Sequence, residues 1–177
     1  MSPRRSSPLT VEFILLGLLI EKPAHGYDLY QRLTKLSGIS AIWQVKQAML
    51  YAMLDKLHNA SLISPEVITT GSLVSRREYS ATPEGTAAFE IWRRLPVEHP
   101  RELRQEFLAK LYFSQQKGAD AVNSLCAAQL VNCRQWMAEL SDTEDSRIDF
   151  PKILLDYRQR TILAAISWLE NITMVIG

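Results

Sequence analysis

Three short helix patterns, a β-prone hairpin with arginines near its tip, and two long helical runs predict a mainly α-helical chain with a small β-hairpin. The expected architecture is an N-terminal winged helix-turn-helix over residues 1–95 and a C-terminal antiparallel helical dimerisation domain over residues 96–177. Leu95-Pro96-Val97-Glu98-His99-Pro100 carries two prolines and marks the expected boundary.

Composition narrows the possibilities. The chain has 177 residues, 47% of them hydrophobic, enough for a real core. A formal net charge of +1 does not suggest a generally basic coat. There are 11 Lys and Arg against 8 Asp and Glu through residue 94, and 9 against 11 beyond it. That mild asymmetry favours an anionic partner for the first half. The apolar run Phe13 to Ile20 is too short to span a bilayer and leads into a charged helix. With two cysteines, Cys126 and Cys133, the expectation is a soluble cytoplasmic protein with reduced thiols and no membrane partner.

Leu9 to Ile20 reads as the first helix, with Thr10 as an N-cap. Its apolar residues lie nearly all round, as in a central buried helix, and Gly17 suggests a close helix contact. Lys22 to Tyr27 reads as a turn: Pro23 stops the helix and Gly26 supplies positive φ. A second helix follows from Tyr27 to Leu36, and Ile39 to Trp43 is a connector. From Val45 to Asn59, Leu50, Leu54 and Leu57 recur at i, i+4 and i+7 and form a buried stripe. Lys46, Gln47, Tyr51 and Lys56 occupy the opposite face. Glu66 to Thr69 reads as a strand, Thr70-Gly71-Ser72 as a turn, and Val74 to Tyr79 as the return strand. Thr82-Pro83-Glu84-Gly85 then opens a fourth helix, with Thr82 as N-cap and Pro83 at N1.

Beyond the prolines the pattern is helical. Arg101 to Lys117 places Leu103, Phe107, Leu108 and Leu111 on one face, and Gly118 closes it. From Asp120 to Leu140, Val122, Cys126, Gln129, Cys133, Trp136 and Leu140 alternate spacings of four and three. That is a coiled-coil seam with one polar member. Ser141 to Asp149 reads as an acidic loop. Pro151 to Ile176 repeats the seam with Leu155, Ile162, Ala165, Leu169, Ile172 and Ile176, interrupted by Arg158. Each long helix offers more apolar surface than the other covers, which predicts pairing with a second copy. The dimerisation candidates are Val122, Cys126, Cys133, Trp136, Leu140, Leu155, Ile162, Leu169 and Ile172.

Several segments resemble the PadR family of transcriptional regulators. VEFILLGLLIEKPAHGYDLYQRL is similar to the family's first two helices, LYAMLDKLHNASLI to its recognition helix, and SRREYSATPEG to the end of its wing. HPRELRQEFLAKLYF and YRQRTILAAISWLEN resemble the helical C-terminal domain of the virulence-activator branch. Ser61 departs from a usual glycine, Ala81 from a larger apolar residue, and Asp55 from an often basic one. The resemblance implies a homodimer on a pseudo-palindromic operator in double-stranded DNA, repressing or activating. In some members a small, often aromatic or planar effector bound at the dimer interface releases the DNA.

The candidate DNA contacts are Lys46, Gln47, Tyr51 and Lys56 on the helix, and Ser75, Arg76 and Arg77 on the wing. Gln pairs with an adenine edge, Lys with guanine or phosphate, and wing arginines with phosphate or a minor groove. Arg4 and Arg5 could form an N-terminal arm. His25 reads as a turn residue, and the two cysteines as buried seam thiols or a redox pair. No nucleophile with a base signature, phosphate-cradling glycine loop or metal-ligand spacing occurs, so neither enzyme activity nor a metal or cofactor is expected. The rival expectation is a dimeric protein-interaction module whose DNA face is vestigial.

Overall fold

A computed structural model describes residues 10–35, 38–43, 45–69, 75–140 and 149–176. It is mainly helical, with a three-stranded antiparallel sheet in the order β1-β3-β2. Two compact units separate: Met1–Arg93 with Leu108–Phe113, and Arg94–Phe107 with Ser114–Gly177.

The first unit is built on α1 (Thr10–Glu21). Phe13 to Leu19 are all buried, as the all-round apolar pattern requires. Gly17 admits the aromatic layer: a Cβ there would come within 2.6 Å of Phe89 and 2.7 Å of Phe113. Phe13 stacks on Trp92 with ring centroids 5.0 Å apart, and Phe89 meets Phe113 edge-on at 5.1 Å. Arg32 closes the C-terminal end of α1, donating to the Leu18 and Lys22 carbonyls and pairing with Glu21.

The stretch expected to be a turn holds a short strand, β1 (Ala24–His25), and α2 (Gly26–Lys35) starts directly after it. Ala24 pairs with Tyr79 and His25 with Glu78 on β3. Gly26 is not among the described glycines with positive φ, which are Gly38 and Gly118. Its requirement is steric, because a Cβ would sit 2.5 Å from a Tyr51 ring carbon. The connector folds as a turn of helix, α3 (Ile39–Ile42). The key helix, α4 (Gln47–Asn59), begins two residues later than its periodicity suggests. Val45 is buried, and Lys46 holds extended backbone at the N-cap position. Leu50, Leu54 and Leu57 form the buried stripe, joined by Met53.

Helix α4 ends in a Schellman motif. The Leu62 N–H reaches the Leu57 carbonyl at 3.0 Å and the Ser61 N–H the His58 carbonyl at 2.9 Å. Ser61 takes the left-handed position with φ 60°, the one described non-glycine residue to do so. The hairpin strands β2 (Ile63–Thr69) and β3 (Ser75–Ala81) run in register from Ile63↔Ala81 to Thr69↔Ser75. Pro65 and Glu66 lie on the outer strand, β2. The turn between these strands, residues 70–74, lies outside the described residues. Thr82 caps α5 (Pro83–Arg94) as expected, accepting the Gly85 N–H at 3.0 Å.

The second unit opens with a 3-10 turn, Pro100–Arg104, where a continuous helix from Arg101 was expected. Gln105, with φ −129°, separates it from α6 (Glu106–Gln115). The long helices are α7 (Ala119–Glu139) and α8 (Phe150–Ile176), and they pack on each other. Gln129, the polar member of the seam, is fully buried. Its amide takes the Val97 N–H at 2.7 Å and donates back to the Val97 carbonyl at 3.3 Å. Asn132 donates to the same carbonyl at 3.0 Å. The polar interruption therefore fastens backbone rather than matching a seam partner. The acidic loop lies outside the described residues from 141 to 148.

Candidate nucleic-acid interface

The exposed face of α4 carries Lys46 at its start, then Gln47, Ala48, Tyr51, Ala52 and Asp55. Residues three and four apart share a helical face, so these side chains form one strip. The buried leucines fix its direction, since they hold the opposite side of α4 in the core. Tyr51 is half-exposed, with its ring edge over the bare Gly26 backbone. Ala48 and Ala52 were not singled out from the sequence. Their small side chains let the backbone approach a surface closely, and alanine can meet a thymine methyl. Their spacing of four, out of phase with the leucine stripe, is the signal that could have found them.

Lys56 is engaged differently. Its ammonium lies 2.7 Å from the carboxylate of Glu12, which is only 3% exposed, so it ties α4 to the central helix. On the hairpin, Arg77 is exposed and stands opposite exposed Val67. His25 donates its Nδ1 hydrogen to the Arg77 carbonyl at 3.1 Å, joining β1 to the wing. Ser75 and Arg76 stand opposite Thr69 and Ile68 by register; their side chains, like Arg4 and Arg5, lie outside the described residues.

The seam candidates divide by exposure. Val122, Cys126, Cys133, Ile162 and Leu169 are buried within one chain. Trp136, Leu140, Leu155 and Ile172 are half-buried. A different set faces outward: Phe150, Ile153, Tyr157, Trp168 and Val175 lie along one line of α8 and are all exposed. Burial pushes both thiols above the ordinary cysteine range, with a smaller opposing effect from Gln129 at Cys133. No cluster of His, Cys, Asp and Glu suited to a metal occurs among the described residues. No helix there is long and apolar enough to cross a membrane.

Helices α1 to α4 followed by a hairpin wing, with a polar helix face on α4, define a winged-helix domain. Residues 15–91 match the transcriptional regulator PadR-like family. It is 24% identical to the negative transcriptional regulator PadR of Bacillus subtilis (strain 168), over 94% of this chain and 97% of that one. Among solved structures it is similar to Bacillus subtilis PadR in complex with operator DNA, at 22% identity and TM-score 0.48, covering 96% of this chain and 100% of that one. It is also similar to Bacillus subtilis PadR in complex with p-coumaric acid, at 22% identity and TM-score 0.44, covering 95% and 99%.

Proposed function

We propose that the chain is a dimeric, sequence-specific DNA-binding regulator in the cytoplasm. Helix α4 enters the major groove and the β2–β3 hairpin lies on the backbone or in a minor groove. The observation that supports this most is the outward strip on α4 beside an exposed wing arginine, within one PadR-like domain. Lys46 and Gln47 stand at the end of α4 that enters a groove first and are assigned to base and phosphate contact. Arg77 and its neighbours Arg76 and Ser75 are assigned to phosphate, and Tyr51 to a flanking contact. Lys56 is assigned to the fold, because Glu12 already holds its charge.

The dimer reading rests on the exposed apolar line of α8. Such a stripe on a helix end-to-end is unfavourable in water and is covered when two copies pair. Pairing also supplies two recognition helices for a pseudo-palindromic operator. Residues 1–95 would then read DNA, and residues 96–177 would hold the dimer. The relative crystallised with p-coumaric acid supports extending the reading to a small-molecule effector.

Footprinting on DNA upstream of the protein's own coding sequence tests the assignment. The expected result is a two-fold symmetric footprint whose affinity falls steeply with salt. A verified dimer that leaves no footprint at low salt would overturn it and favour a protein-docking role.

A further inference from the structure

One long apolar side chain on the outer face of α4 is not taken up by the core. Met49 is 48% exposed, whereas Met53, one turn further on, is 4% exposed and packs inside. Ala52 lies three residues after Met49 and four after Ala48, so the three share one patch of helix surface. All three are exposed. The other long side chains of this face are drawn away from the patch. The Lys56 ammonium is held by Glu12 at 2.7 Å, and the Tyr51 ring lies against the bare Gly26 backbone. That leaves Met49 as the long apolar side chain of the patch.

The next residue along the face is Asp55, exposed and without an ion pair to another described residue. A bare carboxylate is repelled by a phosphate backbone, while a major groove offers it the cytosine amino group. The middle of α4 is therefore suited to base edges rather than to phosphates.

We infer that Met49 reads the C5-methyl group of a thymine in the major groove, with Ala48 and Ala52 letting the helix come close enough for the contact. Thymine alone among the four DNA bases carries an apolar group on its major-groove edge. The unbranched thioether chain adapts its shape to a small apolar partner. The contact takes the methyl group and the exposed part of Met49 out of water together. It also adds base discrimination beyond Lys46 and Gln47, which stand at the very start of α4. The inference rests on the DNA-binding reading above and names one base and one residue within it.

The test uses the full chain and the DNA upstream of its own coding sequence. Each thymine inside the footprint is replaced in turn by deoxyuridine, which lacks only the methyl group. At one position of each half-site the parent should bind about fourfold more weakly per methyl removed, as expected for one buried carbon group. Met49→Ala should weaken binding to the thymine DNA by a similar factor and show no further loss at that position. Met49→Leu should keep the discrimination. Melting curves of both variants should overlie the parent's, since Met49 lies outside the core. The inference is overturned if no deoxyuridine replacement weakens the parent, or if Met49→Ala still discriminates at every position as the parent does. Either result, with the footprint intact, leaves the DNA-binding reading standing. A verified dimer that leaves no footprint at low salt overturns both.

Discussion

The Thr82 hydroxyl donates to the Ser61 carbonyl at 2.8 Å while accepting the Gly85 N–H at 3.0 Å. One side chain thus fastens the exit of α4 to the entry of α5. The Thr82 N–H adds a bond to the Leu62 carbonyl at 3.1 Å. Replacing Thr82 by alanine removes the cap and both hydroxyl bonds. The expected loss is about 1–2 kcal/mol by urea titration, with Thr82→Ser retaining most of the stability. An alanine variant as stable as the parent would show that the junction is held by other contacts.

Ser61 carries the opposite sign. Its φ of 60° suits glycine, and an L side chain there is strained by roughly 1 kcal/mol. Ser61→Gly keeps the Schellman bonds, which are made by backbone. It is expected to raise the unfolding midpoint, and a lowered midpoint would count against the strain.

The two lysines of α4 are expected to behave differently. Lys56→Ala leaves the buried Glu12 carboxylate short of its cation and should cost on the order of 1 kcal/mol of stability. Its effect on the salt dependence of DNA binding should be small. Arg77→Glu, combined with Lys46→Ala, should weaken binding more than tenfold and flatten the salt slope at unchanged stability. Salt titrations on the two variants, beside their melting curves, separate these outcomes. An unaltered slope in the second variant would remove these residues from the interface.

Tyr157 is 65% exposed within one chain and stands midway along the apolar line of α8. A charge placed there should prevent a second copy from covering it. Tyr157→Asp is expected to shift the mass measured by light scattering from two chains to one. A dimer that survives this change and Ile153→Asp together would move the interface elsewhere.

The buried thiols predict a pH effect. Desolvation holds Cys126 and Cys133 neutral above the ordinary cysteine range in the folded chain. The unfolded chain releases these protons at lower pH. Their contribution is therefore complete below the ordinary thiol pKa and is lost as pH rises through the raised folded values. Stability should decline in that alkaline window, and less so in a Cys126→Ala, Cys133→Ala variant. Alkylation under native conditions should be slow; rapid labelling at neutral pH would show the thiols to be open.

Much of the fold was legible in local pattern. The all-round apolar helix, the leucine stripe of α4, the Thr82 cap and Gly17 each carry their cause within a few residues. Strand β1 was not legible, because two residues have no period and form a strand only through Tyr79 and Glu78, more than fifty positions away. The start of α4 was misjudged because buried Val45 continues the apolar pattern, while Lys46 after it holds extended backbone and the helix begins only at Gln47. The seam shows the limit most clearly. A repeat of four and three identifies residues that avoid water, but both a helix of the same chain and one of a second copy satisfy it. Gln129 resembled a register-setting polar residue, and its actual partner, Val97, lies outside any helical period. For the candidate interface, the sequence named the exposed face but not Lys56's engagement, which depends on the approach of α1.

The order β1-β3-β2 puts β3 in the middle of the sheet and leaves β2 as its long open edge. That edge carries Pro65, which has no N–H to donate, and beside it the charged Glu66. An edge so furnished is a poor template for another strand. The wing can project far enough to meet a nucleic acid without inviting sheet-to-sheet polymerisation, so the protein should stay colloidally stable at concentrations where a plain hairpin of this length would begin to assemble.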